Sequence, residues 1–301
     1  MKKHLHLRVV ASLFLLPFLG AAAQAGTASI DVLATFDYPG ASTTHPMAIN
    51  IANGVTGSFV DTDARTKGFV RDSHGNFSAP LVEPKDFGLE TVPAGINDSG
   101  LVSGYFTGPG AIFSGFFLSG SSYTEFAVPG AQDTFVTGLN NAEDFAGYDS
   151  DPATGKTHAF VNIGGTIIPI GLPGSSYCYA INNNNQYCGY YRTGGASHGF
   201  YTDRNGVLQY PIDAPEGAAM FRGINDRGWL VGSTTDSALT THALLFIPPR
   251  NFITFDYPGA SFTRFTGIND NGLISGEESD DLFGTPSHGF IARARLSRTG
   301  D

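Results

Sequence analysis

Five residues in this chain are suited to holding a ligand: His45, Tyr177, Tyr179, Arg222 and Arg264. Tyrosine faces take sugar rings, and guanidinium forks take carboxylates in two-point hydrogen bonds. Their spacing is regular. His45, Val92, Phe135, Tyr177, Met220 and Arg264 each stand three residues before a Gly/Ala-Ile/Leu-Asn triplet. Met47, Ala94, Thr137, Tyr179, Arg222 and Thr266 each stand one residue before it. A place that varies while its surroundings repeat is free to serve a site, although blade-to-blade packing could also produce such variety. Glu90, Asp133 and Glu216 lie nearby. They are the candidates for a paired-carboxylate glycosidase arrangement, which requires that they converge. No Gly-x-Ser-x-Gly elbow, His-Glu-x-x-His or phosphate-binding Gly loop occurs. Asp61, Asp63, Asp149 and Asp151 lie in polar loops, with Glu277-Glu278-Ser279-Asp280-Asp281 read as a third acidic loop. Alternate carboxylates can ligate calcium, but a full site needs six to eight oxygens, so solvated loops and no resident metal or cofactor are expected.

The triplet recurs at Ala48-Ile49-Asn50, Gly95-Ile96-Asn97, Gly138-Leu139-Asn140, Ala180-Ile181-Asn182, Gly223-Ile224-Asn225 and Gly267-Ile268-Asn269. Successive Asn residues are 47, 43, 42, 43 and 44 positions apart. A second phrase follows each Asn by 16 to 19 residues: Lys67-Gly68-Phe69, Ser114-Gly115-Phe116, His158-Ala159-Phe160, His198-Gly199-Phe200, His242-Ala243-Leu244 and His288-Gly289-Phe290. A third, Phe-Asp-Tyr-Pro-Gly-Ala, stands at Phe36 and Phe255, with a variant at Phe126. Self-similarity at such a period marks a repeat architecture. Asn-Asp-x-Gly and Asp-Asn-Gly turns between runs rich in Phe, Tyr, Val, Ile and Thr read as short antiparallel strands. The repeated Asn reads as a turn former, and the repeated His as a partner for a neighbouring strand or turn.

Four strands per repeat, six times, predict an all-β, six-bladed β-propeller over about Ser29 to Arg295. The last copy lacks its own fourth strand. The N-terminal phrase Ala34 to Ala41 matches that strand in the fifth copy, so the N-terminal strand is expected to close the last blade. The phrases Gly-Ile-Asn-Asp, His-Ala/Gly-Phe and Phe-Asp-Tyr-Pro-Gly-Ala resemble the bacterial extracellular repeats named for their His-Ala-Phe motif, the HAF family. The resemblance covers nearly all of the chain after the leader, with Lys67 and Ser114 in place of His in the first two copies. It implies export and repetition and carries no agreed activity.

Lys2, Lys3 and Arg8 precede the apolar run Val9 to Leu19, and Ala23-Gln24-Ala25 follows. This pattern predicts a signal peptide over residues 1–25 and a single propeller domain over 26–301 that is secreted or periplasmic, with no membrane anchor after cleavage. Loss of the three cations takes the formal charge from −10 to −13. So acidic a chain is a poor nucleic-acid partner. Cys178 and Cys188 bracket a hairpin, and export permits a disulfide. A three-residue loop would put both sulfurs on one face, whereas a two-residue loop would not. Together these features predict a monomeric, non-catalytic module that binds a glycan or protein ligand at the channel rim. The alternative is a propeller hydrolase or lyase acting on an extracellular polysaccharide.

Overall fold

The computed structural model describes residues 28–296, so the expected leader lies outside the described residues. The described chain is all-β. β1 (Ala28–Phe36) precedes the first repeat. That repeat holds β2 (Thr43–Ile49), β3 (Val55–Val60) and β4 (Thr66–Arg71), with Phe77 and Leu81 bridging to Arg71 and Gly68 at its outer edge. The second holds β5 (Thr91–Ile96), β6 (Val102–Thr107), β7 (Phe113–Ser119) and β8 (Ser122–Phe126). The third holds β9 (Asp133–Leu139), β10 (Phe145–Ser150), β11 (Thr157–Ile163) and β12 (Thr166–Pro169). The fourth holds β13 (Ser175–Ile181), β14 (Tyr187–Thr193), β15 (Ala196–Thr202) and β16 (Leu208–Ala214). The fifth holds β17 (Gly217–Ile224), β18 (Leu230–Thr235), β19 (Thr241–Ile247) and β20 (Asn251–Phe255). The last holds β21 (Phe262–Ile268), β22 (Leu273–Ser279) and β23 (His288–Leu296).

Within each repeat the strands pair antiparallel in chain order. β1 pairs antiparallel with β23, placing Thr35 opposite Phe290 and Phe36 opposite Gly289. The last three repeats form one hydrogen-bonded path because the pairs Asp213–Ala218 and Thr241–Phe262 link neighbours.

Each repeat Asn closes its own turn and reaches the next repeat. The Oδ1 of Asn140 accepts from Ala142 N and Asp144 N, both at 2.9 Å. Its Nδ2 donates to Asn182 O at 3.2 Å. The same donation runs from Asn50 to Asn97 (3.1 Å), Asn97 to Asn140 (3.2 Å), Asn182 to Asn225 (2.8 Å) and Asn225 to Asn269 (3.1 Å). It returns from Asn269 to Asn50 O at 2.9 Å. The six turns that begin at these Asn residues, each just past the first strand of its repeat, are therefore linked in one series of hydrogen bonds. The Gly or Ala two places earlier permits their close approach: a Cβ on Gly138 would stand 2.7 Å from Ala180 Cα.

Hydrophobic burial lies between repeats. The aromatic residue of the second phrase is the anchor: Phe69, Phe116, Phe160, Phe200 and Phe290 are at most 1% exposed, as is Leu244. Each fully buried Phe contributes about 1.5–3 kcal/mol. One cluster joins Val136, Leu139, Phe145 and Phe160 of the third repeat to Leu101, Phe117 and Phe126 of the second.

The disulfide is not formed. Cys178 and Cys188 are both free and buried. Tyr179 is an extra residue in β13, so Cys178 stands opposite Gly189 while Ala180 stands opposite Cys188. The sulfurs consequently face opposite sides of the sheet, Cys178 beside Ala146 and Phe200 and Cys188 beside Tyr201 and Phe221. In three repeats the repeated His bonds the adjacent outer strand or its end, whereas His158 faces Asp149 of β10. Nδ1 of His198 meets Asp213 at 2.8 Å, that of His242 meets Asp256 at 2.6 Å, and that of His288 meets Asp37 at 2.9 Å. The last pair ties the chain just after β1 to β23.

Two outcomes follow. Asn140→Ala removes two turn bonds and the inter-repeat bond to Asn182 O, which keeps only the Asn185 N–H, and should cost about 2–4 kcal/mol. Asn140→Asp keeps the turn acceptors but turns the donor into an acceptor. It should therefore also lower the melting temperature, and an Asp variant as stable as wild type would overturn the inter-repeat role of Nδ2. Second, the Asp37 hydrogen bond raises the His288 pKa above 6.5, against the opposing effect of burial. A group raised on folding stabilises fully below its unfolded pKa and loses that contribution as pH climbs through the folded value. Melting temperature should fall across that range, and Asp37→Asn should shrink the fall. An NMR titration of His288 that is unchanged in Asp37→Asn would contradict the assignment.

Candidate functional site

Each innermost strand carries a β-bulge one residue before the triplet. A bulge inserts an unpaired residue and re-aims its side chain. The bulged residues are Met47, Ala94, Thr137, Tyr179, Arg222 and Thr266. With Arg264 they surround a narrow throat on the axis, with a cavity of about 10 Å³. The same six and the first two residues of each triplet line a second cavity of about 80 Å³.

A wider ring surrounds this throat. His45, Val92, Phe135, Tyr177, Met220 and Arg264 are paired across to Ser58, Tyr105, Tyr148, Tyr190, Ser233 and Glu277 on the second strands. The sequence reading did not single out this second set. The signal was present: each member lies eight residues after a repeat Asn and directly follows a repeated Gly. That Gly is fixed by close approach, since a Cβ on Gly189 would stand 1.9 Å from Tyr177 O and 2.9 Å from the Phe200 ring. The residue after it varies.

The ring is divided chemically. Repeats two to four supply an aromatic crescent. Tyr105 and Phe135 have centroids 5.0 Å apart, Phe135 stacks on Tyr148 at 4.6 Å, and Tyr148 meets Tyr177 edge-on at 5.0 Å. Tyr177 and Tyr179 both stack on Tyr190, at 4.9 and 5.7 Å. Tyr190 is buried, while the others keep part of their surface exposed. Of the remaining tyrosines in this repeat, Tyr187 packs beside Cys178 and Tyr191 lies near His198, so neither joins the crescent.

The other arc is ionic. Arg264 forms an ion pair with Glu277, and His45 Nδ1 lies 2.7 Å from the other Glu277 oxygen and 2.9 Å from Ser287 Oγ. Glu277 belongs to β22 and is 1% exposed, which corrects its placement in an acidic loop. The strand continues through it because Glu277 stands opposite Arg264. Burial would push its carboxyl pKa up, but Arg264, His45 and Arg222 together hold it down at about 2. Arg222 comes from the fifth repeat, the one before Arg264 and Glu277, with its guanidinium carbon 4.6 Å from the centre of the Tyr179 ring.

The structure thus brings Tyr177, Tyr179, Arg222, Arg264 and His45 to one mouth of the channel. The candidate acids are dispersed. Asp133 accepts from Phe113 N at 3.0 Å and Ser150 Oγ at 2.7 Å, and Glu216 is exposed in the turn between β16 and β17. Only Glu90 borders the crescent, beside Tyr105, and burial followed by the Asp86 charge raises its pKa. None of the three lines the throat. The candidate calcium ligands serve their loops. Asp61 accepts from Asp63 N and Arg65 N and pairs with Lys67, and Asp151 accepts from Ala153 N and Thr154 Oγ1. Asp149 lies 3.6 Å from His158, and Asp63 belongs to the turn closed by Asp61. Among the described residues no cluster of three His, Cys, Asp or Glu has metal-binding geometry, and no helix is long and apolar enough to cross a membrane.

No protein-family model and no curated protein matches the chain. Among solved structures, AofleA from Arthrobotrys oligospora is 12% identical with a TM-score of 0.51, over 91% of this chain and 87% of that one. The BP39L lectin of Burkholderia pseudomallei is 12% identical with a TM-score of 0.44, over 77% and 70%. The Aleuria aurantia lectin, described as a six-bladed propeller that recognises fucose, is 12% identical with a TM-score of 0.44, over 71% and 77%. The described chain shares with AofleA an all-β fold, here built from six repeats of antiparallel strands.

Glu277 provides a test of the ionic arc. Glu277→Gln leaves two basic side chains beside a neutral amide and should cost about 3–5 kcal/mol, read as a lower melting temperature near pH 7. In wild type the Glu277 contribution is present above pH 4.5, its ordinary value, and is lost as pH falls toward 2. The Gln variant should therefore lose part of the acid sensitivity, and equal acid sensitivity in both proteins would contradict the assignment.

Proposed function

We propose that this chain is an exported six-bladed β-propeller, closed by its N-terminal strand, that binds a glycan at the channel mouth without catalysis. Pairing of β1 with β23 and the return of the Asn series from Asn269 to Asn50 support the closed form. The observation that carries the functional reading is the crescent of Tyr105, Phe135, Tyr148, Tyr177 and Tyr179, partly exposed around the axis beside Arg222 and Arg264. Sugar rings present apolar C–H faces to such surfaces and hydroxyls to the polar groups at their edge. A hydrolase or lyase is less well supported, because Asp133 is committed to Phe113 and Ser150 and Glu277 to Arg264 and His45.

The test is retention of the chain after Ala25 on a panel of immobilised neutral and acidic polysaccharides. At least one should retain it. Tyr177→Ala with Tyr179→Ala should weaken that binding about tenfold or more, equivalent to ~1.4 kcal/mol. Retention by none, or unchanged retention of the double variant, would defeat the proposal.

A further inference from the structure

Arg222 is the least satisfied charge at this mouth. As the bulged residue of β17 it lines both the throat and the 80 Å³ cavity. Its Nε is buried without a partner. Among the described residues, no acceptor takes a hydrogen bond from its guanidinium and no carboxylate lies within ion-pair distance, whereas its neighbour in the throat, Arg264, is paired with Glu277. The Tyr179 ring lies against it. Glu277, whose charge reaches it, is already held by Arg264 and His45. Two guanidinium groups, of Arg222 and Arg264, therefore line the throat, while the one carboxylate beside them, Glu277, does not. A buried cation without a partner is costly, and a guanidinium fork matches a carboxylate in shape and charge.

The dimensions restrict what can enter. A water molecule's share of liquid volume is about 30 Å³. By that measure the neck, at about 10 Å³, is narrower than a water and the cavity beyond it, at about 80 Å³, is worth two or three, so a sugar ring stays outside and only the end of a small group reaches the guanidinium at the neck. A ring would remain above, on the tyrosines.

We propose that Arg222 seats a carboxylate of the ligand, so that the glycan bound at this mouth is acidic, with a uronate-type carboxylate at the guanidinium and its ring on Tyr177 and Tyr179. This rests on the glycan reading of the site. Arg264 has a different role, that of keeping Glu277 paired so that this carboxylate does not occupy Arg222.

The experiment compares D-glucuronate, D-glucose and acetate on the chain after Ala25 at constant ionic strength, by thermal shift and calorimetric titration. In wild type, glucuronate should raise the melting temperature saturably and bind at least tenfold more tightly than glucose, with acetate giving a smaller saturable rise. Arg222→Met should abolish the acetate response and the preference for glucuronate over glucose. Without ligand its melting temperature should stay close to that of wild type, because removing a cation without a carboxylate partner offsets the loss of its contact with the Tyr179 ring and its attraction to Glu277. Arg222→Lys should retain a weakened preference. A wild type that does not favour glucuronate, or a Met variant that still does, would overturn the seat. Acetate binding lost in Arg222→Met, with no response to either sugar and no polysaccharide retained, would overturn the glycan reading and leave only the anion site. Retention on neutral polysaccharides without an acetate or glucuronate response would do the reverse.

Discussion

One hydrogen bond, made six times, organises the molecule: each repeat Asn donates its side-chain N–H to the main-chain carbonyl of the next repeat's Asn. The same side chain's oxygen closes its own turn, as in Asn225, which accepts from Arg227 N and Trp229 N. A single amide thus couples local turn geometry to the spacing between sheets. Buried polar groups are costly unless they are paired, so strands cannot slide along the axis without breaking both sets. The Gly or Ala two places earlier removes the side chain that would otherwise keep the strands apart, and the second-phrase Phe fills the space behind it.

With that scaffold fixed, variation is confined to a few defined places. The bulged residue is unpaired on the innermost strand and faces the axis, so its identity does not affect the ladder. The residue eight places after the Asn is paired but faces the mouth. Between them they change the character of the mouth from Met47, Ala94 and Thr137 to Tyr179 and Arg222, and from Ser58 to Tyr105, Tyr148, Tyr190 and Glu277. Repetition supplies the scaffold, and departures from it supply a surface that is aromatic on one side and ionic on the other.

Charge is handled differently at the axis and at the rim of the sheets. Outer pairs such as His288–Asp37 remain partly exposed, where solvent screening keeps single pairs weak, and several repeats use them in equivalent positions. At the axis Glu277 is buried among Arg264, His45 and Arg222, so its ionised form is strongly favoured and the group is committed to structure. That commitment keeps it from serving as a proton donor near neutral pH, and it leaves Arg222 without a protein carboxylate.

The sequence alone determined the repeat, the strands and the turns, because these depend on local chemistry: Asn and Gly in tight turns, β-branched and aromatic residues in strands, and a period of 42 to 47 residues. It also pointed to His45, Tyr177, Tyr179, Arg222 and Arg264, because variation within a repeat is visible in one chain. The tertiary structure decided which side chains meet. The extra residue at Tyr179 turns Cys178 and Cys188 to opposite faces, a one-residue shift that composition does not reveal. Glu277 looks like one acid among several in a polar run, and only pairing with Arg264 makes it the buried centre of the ionic arc. Tyr105, Tyr148 and Tyr190 lie on different repeats, and only the packing of neighbouring innermost strands places them in one crescent. Contacts between residues more than forty positions apart depend on how the sheets are set about the axis, and that setting is a property of the whole assembly of strands.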